Sequence, residues 1–296
     1  MLEEIRARQM AAVLERRKNA KKRRRILVAA LLLIFFVIFV TVQFIGNYSF
    51  EVTHYRLNSN KLEIPIRIAA LSDLHSKEYG EENEKLVETI KNEHPDMIVM
   101  LGDMVNKDDT DISVIRTLCR QLKEIAPVYY SMGNHEGTMM TTRTDSIDIN
   151  RILKEDGVHV LYNQTEDFEK GGTVIHLAGI STSYNNYDQW SKEPLKDFWD
   201  LDGYKILLSH YPALYYEKLK DAKVDLALAG HYHGGVVRIP GLGGLYHPEE
   251  GFFPQYSGGK YSLTYGTLIV SRGLGDHGFA LRINNRPELV IIDINK

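Results

Sequence analysis

Between Ile26 and Ile45 the chain runs for twenty residues without a charge, ILVAALLLIFFVIFVTVQFI. At a helical rise of about 1.5 Å per residue, such a run spans roughly 30 Å, the thickness of a bilayer's hydrocarbon core. A buried helix of a soluble protein normally carries a polar stripe. Here only Thr41 and Gln43 are polar, and both lie near one end. The run also exceeds the apolar region of about 7–15 residues in a cleaved signal peptide, and no small-residue cleavage site follows it. Residues 26–45 therefore read as an uncleaved transmembrane anchor.

Charge placement gives the anchor a direction. The chain carries a net charge of −3, but residues 1–25 alone hold ten Lys/Arg and three Glu, leaving −10 on the part beyond the anchor. By the positive-inside rule, the Arg16–Lys18 and Lys21–Arg25 clusters stay in the cytoplasm and the body lies on the extracellular side. The acidic body argues against a nucleic-acid grip, which wants a basic face. The expected organisation is a basic cytoplasmic segment (1–25), the anchor (26–45), a linker and entry segment (46–65) and a large body domain (66–296). The linker is too short to carry the domain far from the membrane, so membrane lipid is an expected partner.

Within the body, short apolar runs end in polar clusters and are followed by helical periodicity. Strands are expected at 66–71, 97–101 and 128–131, with helices at 80–93, 111–125 and 145–156. The second half is richer in strands, at 158–161, 173–180, 205–209, 224–229, 235–239, 266–271, 279–283 and 288–294. This count fits an α/β fold of two packed mixed sheets flanked by helices. Cys119 is the single cysteine, which excludes an intramolecular disulfide and a cysteine-based zinc site. Its spacing with Ile115, Leu118 and Leu122 makes it a small buried apolar residue. Residues 240–265, rich in Gly, Pro and aromatics, read as a long functional loop.

Five polar clusters stop the apolar runs: Asp73-Leu74-His75, Gly102-Asp103, Gly133-Asn134-His135-Glu136, Ser209-His210 and Gly230-His231-Tyr232-His233. In extended chain, residues i and i+2 point the same way, so Asp73 with His75, and His231 with His233, can each aim at one centre. Asp73, His75, Asp103, Asn134, His210, His231 and His233 offer seven oxygen and nitrogen donors. That is too many for one ion, and suits two ions about 3.5–4 Å apart bridged by a carboxylate. Imidazole and carboxylate without thiolate favour manganese, iron or zinc. His54, His94, His159 and His176 read as surface or satisfied histidines, and His247 lies outside the metal clusters.

In this order, the motifs SDLH, GDMVN, GNHE, LSHYP and AGHYHGG resemble the calcineurin-like metallophosphoesterase superfamily, over about residues 64–296. The run GHYHGGVVRIPGLGGLYHPEEGFFPQYSGGKY, then VSRGLG and NNRPELVIIDI, is similar to its bacterial membrane-associated, exported branch. The resemblance implies a four-layer α-β-β-α sandwich. It places one divalent ion on Asp73, His75, Asp103 and His233 and a second on Asp103, Asn134, His210 and His231, with Asp103 bridging. It implies hydrolysis of a phosphodiester, phosphomonoester or pyrophosphate bond by a hydroxide between the ions, with His135 contacting the phosphate and helping the leaving group. Tyr232, where the family more often has Thr, should leave the flanking histidines undisturbed.

Some roles stay open at this level. Arg272 and His277 are candidates for substrate phosphate, with a solvated arginine the equal reading. Glu136 either supports a histidine or caps a helix. Phe252, Phe253, Tyr256 and Tyr261 either meet substrate or lipid or form a small core under their loop. The substrate expected is a phosphate ester of the cell envelope or one linked to lipid. The competing reading is a metal-dependent cell-wall or lipid-binding protein with weak catalysis.

Overall fold

The computed structural model describes residues 1–142, 146–181, 186–276 and 282–296. Two compact units divide at residue 45: Met1–Ile45 and Gly46–Lys296. The first lies within helix α1 (Leu2–Asn47). The apolar window of that helix has a mean hydropathy of 3.0 and none of it is buried, so α1 is a candidate membrane anchor.

The body holds two six-stranded sheets. The first is built from β1 (Glu51–Asn58), β2 (Ile66–Leu71), β3 (Met97–Met100), β4 (Val128–Tyr130), β5 (His159–Val160) and a late strand, Glu288–Asn295. The second is built from β6 (Gln164–Lys170), β7 (Thr173–Ile180), β8 (Tyr204–Ser209), β9 (Leu226–Ala229), β10 (Gly259–Ser262) and β11 (Thr267–Val270). With Glu288–Asn295 as β12, the orders are β1-β12-β2-β3-β4-β5 and β10-β11-β9-β8-β7-β6. Both sheets are mixed. Strands β2 to β5 run parallel, as do β7, β8, β9 and β11, while β12 against β2, β6 against β7 and β10 against β11 are antiparallel.

Alternation along these strands sorts side chains into three cores. Ile66, Ile68 and Ala70 of β2 meet Ile206 and Leu208 of β8 between the sheets. Ala69 and Leu71 face helices α2 (Glu84–Glu93), α3 (Ser113–Lys123) and α5 (Ile149–Glu155) on the outer side of the first sheet. Ala178, Leu207 and Ala227 face Leu214 and Tyr215 of α6 (Ala213–Glu217) outside the second. These three interlayer spaces make the expected four-layer sandwich. Cys119 is fully buried in the first core, and burial pushes its thiol up to about 12.

Three segments differ from expectation. Residues 51–58, expected as an entry segment, form edge strand β1, paired residue for residue with β12. Phe50 and Val52 face the helix side while Tyr55 and Leu57 face the other sheet, so neither face shows a continuous apolar pattern. Strand β6 is an edge strand that buries Phe168 alone. The expected loop at 240–265 is largely short hairpins: Arg238–Ile239 with Gly243–Gly244, Tyr246–His247 with Gly251–Phe252, then β10. The expected strand at 279–283 lies mostly outside the described residues, as does the first residue of the helix expected at 145–156.

Candidate metal centre

Parallel strands deliver the polar clusters to one end of the sandwich. Asp73 and His75 follow β2, Asp103 follows β3, Asn134 and His135 follow β4, His210 follows β8, and His231 and His233 follow β9. The chain turns sharply to present them. Asp73, His75, Asp103, His231 and His233 all have φ between 46° and 72°, in the left-handed region that costs an L-residue energy and concentrates at functional sites. Crowding explains one neighbouring glycine: a Cβ on Gly230 would stand 1.8 Å from Ser72 Oγ and 2.4 Å from Asp73 Oδ2.

Helix α4 (Asn134–Thr142) begins inside the site. Sequence gave little sign of it, because Gly137 and three threonines are poor helix formers. Its first turn is held by carboxylates, which suit the positive end of a helix. Asp103 Oδ1 accepts the His135 N–H at 2.8 Å. Glu136 is fully buried and accepts from the N–H groups of Asp103, Met104 and Gly133 at 3.0, 2.7 and 3.0 Å. Its role is to lock the loops after β3 and β4 together. Burial, then the neighbouring Asp103, pushes its pKa up to about 7.

The imidazoles are oriented by partners on their far sides. His210 Nδ1 donates to the Leu101 carbonyl at 2.8 Å, so Nε2 faces Asp103 Oδ2 at 3.2 Å and Asp73 Oδ1 at 3.9 Å. His231 Nε2 donates to Glu249 Oε2 at 3.0 Å, leaving Nδ1 toward His210 Nε2 at 3.1 Å. His233 Nδ1 accepts from Arg282 Nη2 at 3.1 Å, and its Nε2 lies 3.3 Å from Asp73 Oδ1 and 3.2 Å from His75 Nε2. Asp73 is held by Ser72 Oγ at 2.5 Å and by the His231 N–H at 3.1 Å. His135 is set like His233, with a donor at Nδ1, and unlike His210 and His231. Its Nδ1 accepts the Lys107 N–H at 3.0 Å, so the proton of the neutral ring sits on Nε2, which becomes a donor rather than a lone pair.

Charge in this cluster is frustrated without a cation. Burial opposes ionisation of Asp103, but the His210 charge prevails and holds the carboxyl well below the usual carboxylate range. Burial alone would lower His210, yet Asp103 and Asp73 bring it to about 10. Burial, then Arg282, holds His233 well below the ordinary histidine value. The sets Asp73/His75/His233, His75/Asp103/His135 and Asp103/His210/His231 each gather donor atoms within 4.8 Å. Asn134 Oδ1 is buried without a hydrogen-bond partner. Facing imidazole nitrogens, crowded carboxylates and an orphaned amide oxygen fit divalent cations.

A cavity of about 250 Å³ opens over these groups, with Asp103, Asn134, His135, His231 and His233 on its floor. The Tyr246–Phe252 hairpin lays His247, Pro248 and Glu249 across it, and Arg282 and Asp276 close another side. Sequence reasoning missed Glu249 and Arg282 as supports of His231 and His233. The signal lay partly in the flagged loop, which contains Glu249.

The substrate-binding candidates fare differently. Arg272 is turned from the cavity, paired with Glu288 Oε1 at 2.9 Å and with Glu51, and ties β1 to β12. The two carboxylates outcompete a distant anion, and Arg282 is the arginine lining the cavity. Phe253 is 53% exposed outside the cavity lining, with its N–H on the Leu245 carbonyl. His277 lies outside the described residues. Tyr256 and Tyr261 pack on the third core, whereas Phe252 is exposed. Tyr232 turns its hydroxyl to Glu250 and Tyr216, clear of the donors. His54, His159 and His176 pair with Glu93, Glu166 and Asp167.

Fold, motif order and donor set define a metal-dependent phosphoester hydrolase. Residues 66–235 match the signature of the calcineurin-like phosphoesterases, and the chain belongs to that family, which implies a dinuclear divalent metal centre. It is 28% identical over 253 residues to the phosphodiesterase YaeI of Escherichia coli, covering 83% of this chain and 88% of that protein. It is 27% identical over 251 residues to the metallophosphoesterase YkoQ of Bacillus subtilis, covering 77% and 83%. A transmembrane protein with a metallophosphoesterase domain from Danio rerio is 25% identical, covering 77% of this chain and 52% of that one.

Proposed function

We propose that the chain is a membrane-anchored phosphoesterase whose seven donors hold two divalent ions, manganese, zinc or iron. In this reading Asp73, His75, Asp103 and His233 hold one ion, Asp103, Asn134, His210 and His231 hold the other, and the substrate is a phosphate ester of the cell envelope. When bound, the ions supply charge neutralisation and water activation.

The chain's own groups do the rest. Glu249 and the Leu101 carbonyl fix which nitrogens of His231 and His210 face the centre. Arg282 sits against Nδ1 of His233, whose Nε2 must lose its proton to serve as a ligand. His135, held by the Lys107 N–H, presents Nε2–H to the cavity and donates to the leaving oxygen. The observation that carries the reading is the convergence of the seven donors on one pocket, with His135 presenting a proton donor beside them. The anchor reading rests on α1, and the relative from Danio rerio, named as a transmembrane protein, supports it. The phosphodiesterase name of the Escherichia coli relative favours a diester.

The test is hydrolysis by the full chain, loaded with manganese or zinc, of a phosphomonoester, a phosphodiester and a pyrophosphate-linked lipid. One class should be turned over. His135→Ala should keep both ions and lose about 10²–10⁴-fold in kcat. Two bound ions with no hydrolysis of any ester would favour the binding-protein reading, and near-wild-type turnover by His135→Ala would remove that residue's role.

A further inference from the structure

Strand pairing shows where the body's first residues lie. Glu51, which opens β1, pairs with Glu288, which opens β12. Strand β12 runs antiparallel to β2, with Val290 opposite Ala70. Glu51 is therefore at the end of the sheet where β2 stops and Asp73 and His75 begin. Side chains agree with the pairing. Phe50 packs edge-on against Tyr79 at 4.9 Å. Lys77 Nζ, two residues past His75, donates to the Asn47 carbonyl at 2.7 Å and to Asp276 at 2.7 Å. Asp276 in turn holds Arg282 Nε at 3.1 Å, and Arg282 holds His233. A chain leaving a bilayer at residue 45 thus enters the body at the end that carries the metal ligands.

The hairpins beside the cavity are apolar and uncovered. Leu242 is 67% exposed and Phe252 72%, with the Tyr246 ring tilted against Phe252 at 5.2 Å. Between Tyr246 and Phe252 come His247, Pro248 and Glu249, which line the cavity. One side of this short hairpin faces the reaction site, and the other offers large apolar side chains to the surroundings.

Resting on the anchored-hydrolase reading, we propose that Leu242, Tyr246, Phe252 and Phe253 form a rim that enters the lipid headgroup layer, so that the cavity takes a phosphate ester carried by a membrane lipid. The anchor names the occupant: a body tethered at its ligand-bearing end meets lipid before any other partner. Aromatic and aliphatic side chains with polar backbone around them suit the interfacial layer.

The test uses the full chain in vesicles of phosphatidylcholine and phosphatidylglycerol. Phe252→Cys is labelled with an environment-sensitive fluorophore, and buried Cys119 stays unlabelled. The label should emit further to the blue and lose emission to nitroxides on the upper acyl chain. A label at Glu169→Cys, exposed on β6 at the end of the sheet far from the ligands, should do neither. Leu242→Cys repeats the measurement should Phe252→Cys fold poorly. Water-like, unquenched emission at positions 242 and 252, or quenching at 169 instead, overturns the rim. Turnover of a soluble phosphodiester by the unlabelled chain separates the two ideas. Turnover without quenching sinks the rim alone, whereas quenching without turnover of any ester sinks the hydrolase reading.

Discussion

Glu136 shows how a residue outside the ligand set can hold the site together. Its carboxylate collects three backbone N–H groups from two loops, and no neutral side chain of that shape accepts all three. Glu136→Gln turns an NH₂ toward an N–H and should cost about 2 kcal/mol, read from denaturant unfolding; unchanged stability would show that the loops hold without it. Arg282 acts on His233 in the opposite sense. Arg282→Met should tighten binding at the ion position served by His233 several-fold, read by metal titration, because the variant loses the cation whose hydrogen bond to Nδ1 keeps the proton on Nε2. Equal affinity in the variant would reduce Arg282 to a lining residue. The ligand candidates were legible because each closes an apolar run, four of them in the local patterns Asp-x-His and Gly-His-x-His. Glu249 and Arg282 were not, since their partners stand 18 and 49 residues away along the chain. Arg272 illustrates the converse: an arginine beside Gly273 looked free until two carboxylates from separate strands claimed it.

At the scale of elements, helices α3 and α5 are joined by charge at their edge. Asp156, the residue closing α5, takes Arg116 Nε at 2.6 Å and Arg120 Nη2 at 3.3 Å. The Arg116 hydrogen bond, against a small burial cost, lowers its pKa from 3.8 to about 2. A carboxyl depressed in the folded state contributes stability that is full above its unfolded value and is lost as pH falls through the folded one. The α3–α5 contact should therefore loosen between about pH 4 and pH 2, and Asp156→Asn should flatten that part of the stability profile. An identical acid limb in the variant would show that the pair is idle. Central strands were readable because β2, β3, β8 and β9 are apolar on both faces, as strands between layers must be. Edge strands were not. Strand β1 divides its apolar side chains between two faces, and β6 buries only one side chain. The hairpins near residue 245 are only two residues deep per strand, below what periodicity can reveal.

Across the whole molecule, one design recurs: parallel strands from two sheets point their ends at a shared pocket, and the body's entry point lies at the same end. The candidate anchor was plain in sequence from length and polarity alone. The entry point was not, since it follows from the pairing of β1 with β12, residues some 237 positions apart. The central claim is that the seven donors form one two-ion centre that hydrolyses a phosphate ester. The most direct test strips the full chain with chelator, returns manganese stepwise, and follows hydrolysis of a soluble phosphodiester against ions bound per chain. The account predicts negligible turnover in the stripped chain and a maximum at about two bound ions. Full turnover in the stripped chain, or a maximum reached at a single bound ion, would contradict it.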